Sequence, residues 1–162
     1  MLDAKDTFYI ALRDRLAVVN PQRTMMVRGA LRPGILVEDA EPVAAKMPRN
    51  VFVLRWTVLE KDPVLPQTMA ILGCEIHYGT VGTEAALGLD RGRLLAIMDE
   101  ELLQILRPLS APVMNYSVVP ATATGMTVLW TEPVFGATTM SRDSLERVVK
   151  VTVLARQAGG VQ

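Results

Sequence analysis

The sequence predicts an α+β domain: a mostly antiparallel sheet covered on one face by an N-terminal helix and a central helix. The order of hydrophobic periods carries this, reading helix, strands, helix, strands along the chain. NVFVLRWTVLE reads as a long strand with two alternating faces, and the alternation in SLERVVKVTVLA is the half-buried signature of an antiparallel sheet. Apolar residues recur at helical spacing near the N-terminus and again after Asp90.

In chain order, Phe8, Leu12, Leu16 and Val19 share one face of a helix from Leu2 to Val19, with Asp3 placed to cap its start and Asn20-Pro21 to close it. TMMVRG reads as a short strand, and Pro33-Gly34 as a turn into the short strand Ile35 to Val37. Residues 38–49 read as a loop. From Asn50 to Glu60, Phe52, Leu54, Trp56 and Val58 alternate with Val53, Arg55, Thr57 and Leu59. The connection KDPVLPQT carries two prolines, which cannot donate to a central ladder, so it is expected as an exposed hairpin arm.

MAILGCEIHYGT, residues 69–80, is the next strand and holds the lone cysteine and the lone histidine. Gly79, Gly82 and Gly88 then mark a flexible passage, after which Asp90 is expected to cap a helix ending near Arg107, with Pro108 beyond it. Leu94, Leu95, Met98, Leu102, Ile105 and Leu106 share its broad apolar face, which leaves Ile97 and Leu103 outside as candidate subunit contacts. The last third reads as strands VMNYSVVP, GMTVLWTEPV and SLERVVKVTVLA, with TATG as a hairpin turn between the first two. The domain is expected to span 1–156 and to end in a flexible tail, 157–162.

A length of 162 residues suits one domain with a real core. Seventeen basic and seventeen acidic side chains leave no net charge to draw the protein toward nucleic acid or an anionic membrane. Arg13, Arg15, Arg23, Arg28 and Arg32 are spread along a helix and turns without interleaved aromatics, a thin basis for a nucleic-acid patch. Thirteen of the basic residues are Arg and four are Lys, a tilt that favours assembly contacts, because guanidinium forks hold fixed pairs at interfaces. Half the residues are hydrophobic and the mean hydropathy is +0.26, yet no run approaches the roughly 18 apolar residues of a membrane span. Surplus apolar surface points instead to a protein partner, and Trp56 and Trp130 to core or interface anchors. The charges interleaved through the first residues do not resemble an export signal.

Chemistry is hard to build from this inventory. In a strand over 69–80, Ala70, Leu72, Cys74, Ile76 and Tyr78 project from one side and Glu75 and His77 from the other. The thiol is therefore denied the only imidazole, and a buried structural cysteine is expected. Glu75 and His77 share a face, but a metal would need more ligands from Asp39, Glu41 or Glu60. A charged pair on one strand face suits solvent or a partner subunit instead. Arg91 and Arg93 flank the start of the second helix as an anion site would, without any phosphate-cradling glycine pattern before it. No serine has the flanking glycines of a nucleophile elbow. No catalytic residue, cofactor or metal is expected. The candidate subunit interface is Val64, Leu65, Glu75, His77, Arg91, Arg93, Ile97 and Leu103.

Taken together, the N-terminal helix, the RPGILVEDAE turn, the long strand NVFVLRWTVLE, the proline-bearing hairpin, MAILGCEIHYGT, the helix DRGRLLAIMDEELLQIL and the closing strands ending LERVVKVTVLA resemble the tail terminator proteins of long-tailed bacteriophages. The resemblance covers about residues 2–155 and lies in the order and size of elements. It implies a non-enzymatic structural protein that forms a hexameric ring, caps the tail tube and joins it to the neck. The implied partners are further copies of the chain, the tail tube protein and a neck or connector protein, with DNA only as passing cargo and no membrane. The implied place is the virion tail, assembled in the bacterial host cytoplasm. The balanced charge departs from a strongly acidic channel lining. Two other classes are compatible with the residues: a small module holding an apolar ligand between helices and sheet, and a hydrolase built on Cys74 or on Glu75 and His77.

Overall fold

A computed structural model describes residues 2–38, 48–61 and 70–157. Helix α1 (Leu2–Val19) leads into strands β1 (Thr24–Val27), β2 (Ala30–Pro33), β3 (Ile35–Val37), β4 (Phe52–Lys61) and β5 (Ala70–Thr80). Helix α2 (Arg91–Ile105) follows, and then β6 (Ser110–Asn115), β7 (Thr122–Trp130), β8 (Val134–Phe135), β9 (Thr139–Ser141) and β10 (Ser144–Gln157). The main sheet has the order β3-β4-β5-β10-β7-β6, antiparallel throughout except for the parallel pair β3–β4. The α+β class with a mostly antiparallel sheet is what the sequence predicts.

Both helices lie on the same face because each carries an apolar stripe and β5 and β10 alternate beneath them. Phe8, Leu12 and Leu16 of α1 and Leu95, Met98, Leu102 and Ile105 of α2 are buried against Leu72, Cys74, Ile76, Val149, Val151 and Val153. Each such side chain contributes about 1.5–3 kcal/mol when removed from water. Phe8 binds the layers at the centre, meeting Trp56 edge-on at 5.7 Å and Trp130 at 5.1 Å. Trp130 is fully enclosed and donates its indole N–H to the carbonyl of Leu106.

β10 is the spine of the sheet. Along one edge it pairs with β5 from Leu145 to Ala155, and along the other it meets β9, β8 and β7 in turn. Its partner edge is thus one strand interrupted twice, with Gly136 N–H bridging to the Val148 carbonyl between β8 and β9.

Several local expectations need correction. Asp3 is not the cap of α1, which already begins at Leu2; its carboxylate lies in the first turn, where the helix dipole favours negative charge. Val19 is half-buried at the edge of the core. ALRP, where the sequence predicts only the Pro33-Gly34 turn, is a strand, because Arg28-Gly29 at φ 49° and 79° forms the tight hairpin joining β1 to β2. A bulge between Trp56 and Val58 breaks the strict alternation of β4, so that Val58 pairs with Gly73 and Leu59 with Leu72. TATG lies inside β7, and the turn before it is residues 116–121, with a cis peptide at Val119-Pro120. TEPV is not the end of one strand: the chain leaves β7 at Trp130 and re-forms β8 and β9. The closing strand extends past the expected boundary, with Arg156 and Gln157 paired to Thr127 and Met126. The flexible tail expected over 157–162 falls, beyond Gln157, outside the described residues, as do most of the loop at 38–49 and the hairpin arm.

Candidate functional site

The strand β5 settles where its two reactive side chains go. Cys74 is enclosed on the helix side, opposite Trp56 on β4 and Val151 on β10, and burial pushes its thiol up to about 12. His77 lies on the other side of the same strand, between Val53 and Val148, with Nε2 at 2.9 Å from Glu75 Oε2. Thiol and imidazole are separated by the backbone, and a thiol so far above its ordinary value is inert as a nucleophile at neutral pH.

Glu75 and His77 belong to a charged band on the outer face. In register with Glu75 lie Arg55 and Lys150, and Arg55 makes a forked pair with Glu38, its Nη2 donating to Oε1 at 2.8 Å. The hydrogen bond from Arg55 holds the Glu38 carboxyl below the usual carboxylate range. Among the described residues, no three His, Cys, Asp or Glu side chains converge as a metal site would require. Asp39 and Glu41 and the side chain of Glu60 lie outside the described residues, as do Val64 and Leu65.

At the start of α2 the expected capping is replaced. Asp90 turns its carboxylate back to Thr83, accepting from the Thr83 N–H at 2.9 Å and the hydroxyl at 2.8 Å, and makes no hydrogen bond to the helix. These bonds hold the Asp90 carboxyl below its ordinary value. Gly82 and Gly88, at φ +78° and +77°, let the loop close against Asp90, and a Cβ on Gly82 would lie 2.5 Å from Asp90 Oδ1. The passage expected to be flexible is thus closed by its own hydrogen bonds. Arg91 donates to the Asp143 carbonyl in the β9–β10 turn, while Arg93 stays largely exposed, 3.7 Å from Asp90. Ile97 and Leu103 are exposed, but six residues of helix place them about a third of a turn apart on opposite flanks, so they do not form one patch.

Three polar clusters are missing from the expected set. Glu101, nearly buried on α2, receives a fork from Arg23 and a bond from Asn20 Nδ2 at 2.6 Å, and Arg23 also donates to the Asn50 carbonyl at 2.8 Å. Tyr78 donates to Asp99, and Arg147 Nε lies 3.1 Å from the same carboxylate but off the hydrogen-bond line, a contact of charge alone. Burial and donation to Asp99 push the Tyr78 phenol far above its ordinary range. Arg15 reaches from α1 to the end of α2, donating to the carbonyls of Ile105 at 2.8 Å and Arg107 at 3.0 Å, with its guanidinium over Trp130. α2 has no basic residue in its last turn, so α1 supplies the cation its dipole favours. A sequence signal existed for each: a Glu inside an apolar stripe, a Tyr on the buried side of β5, an Arg one turn from Leu12 and next to Leu16.

Beside Arg15 a groove of about 660 Å³ opens between the ends of the two helices, lined by Val18, Val19, Pro108 and Leu109 together with Asp14, Gln104 and Arg107. Elsewhere exposed apolar side chains stand in separate places: Met26 opposite Leu31 on the β1–β2 hairpin, Val134 and Met140 on β8 and β9, and Leu87 and Leu89 in the loop before α2. Residues 84–90 look, in sequence, like an ordinary glycine-bearing loop, and only their solvent exposure distinguishes the two leucines. No protein-family model matches the sequence, and a search of curated proteins finds no match.

Proposed function

We propose that this protein is a structural assembly component of the phage tail-terminator type, a subunit that closes into a hexameric ring, caps a tail tube and presents a surface to the neck. The observation that carries the reading is the distribution of exposed apolar side chains over several unlike surfaces: a hairpin, a sheet edge and a helix-entry loop. A two-fold dimer needs one self-complementary face; a subunit with different neighbours on different sides needs several unlike ones. The resemblance in element order supports the same reading, and so does the placing of the lone thiol and imidazole on opposite sides of β5. Light scattering of the purified chain at micromolar concentration tests it: a single ring-sized species with six-fold class averages in electron micrographs is expected. A clean monomer at all concentrations would end this reading.

The groove at the helix ends favours a second one, a module for an apolar ligand. The layer between helices and sheet is filled by Phe8, Leu12, Met98 and Leu102, so such a ligand would use the groove. A monomer that retains a small molecule through native mass spectrometry would identify it.

A further inference from the structure

We draw no further inference here: the strongest candidate, the exposed apolar patch of Leu87 and Leu89 in the loop entering α2, has no partner in the structure, and nothing in the structure shows what covers it.

Discussion

Two arginine–glutamate pairs, Arg23–Glu101 and Arg55–Glu38, use the same forked geometry in opposite settings. The first has side chains only 12% and 7% exposed and ties the start of β1 to α2 and to the chain before β4; the second is 50% and 36% exposed on the outer face of the sheet. Both cations could be read from sequence as members of a surface population. What the structure adds is solvent, and solvent decides the strength. In the wet pair the attraction is screened and the long side chains lose entropy on pairing; in the dry pair, removing one member strands the other in a low-dielectric interior.

The largest effect that could break this comparison is at Glu101. Glu101→Gln leaves Arg23 enclosed without its counter-charge, and urea denaturation at pH 7 should show a loss of about 3–5 kcal/mol. A loss no greater than that at Glu38 would mean that burial does not separate the two pairs. Next comes Arg15→Ala, which strips the end of α2 of two charge-assisted bonds and should cost about 1.5–3 kcal/mol in the same assay. Glu38→Gln should cost less than about 1 kcal/mol, and 1 M salt, where screening acts over roughly 3 Å, should erase most of it.

The smallest effect sharpens the comparison by its sign. Because the Glu38 carboxyl is held below its ordinary value in the folded chain, its small stabilisation is complete above the unfolded value, about 4.3, and is lost as the pH falls through the folded value. An acid titration of wild type and Glu38→Gln should therefore show two stability curves that begin to converge as the pH falls below about 4.3 and merge once it passes the folded value. Curves that diverge further in acid would reverse the assignment.

How far the fold was legible followed the length of each periodic run. β5 and β10 alternate over many residues, so their buried sides, and with them the opposed directions of Cys74 and His77, could be read directly. β2, β8 and β9 are too short for a period to declare itself: β8 and β9 exist because the longer β10 beside them offers hydrogen bonds, and β2 because the Arg28-Gly29 turn folds it back onto β1. Asp90 has the residue type of a helix cap, but Thr83, brought near by Gly82 and Gly88, competes for its carboxylate and wins. The candidate contacts divided likewise. Ile97 and Leu103 were visible as residues off the apolar stripe, whereas Leu87 and Leu89 were hidden, since no period distinguishes an exposed leucine from a tucked one in a loop. Arg15 and Arg23 counted in sequence toward a diffuse basic surface; their inward turn depends on acceptors 78 residues away in the case of Arg23 with Glu101, and 90 in the case of Arg15 with Ile105.

The central place of β10 has a consequence for how the molecule is made. Every element that this strand joins is translated before it, so a nascent chain still short of residue 144 has two separate groups, β3-β4-β5 and β6-β7, and lacks the strand that lies between β5 and β7. Vectorial synthesis can supply the partners of each group in order but cannot join the two groups before β10 is made. The ribosome must release the keystone before the arch can stand, and until then the cell handles a polypeptide with two open seams, whose completion is a single late event.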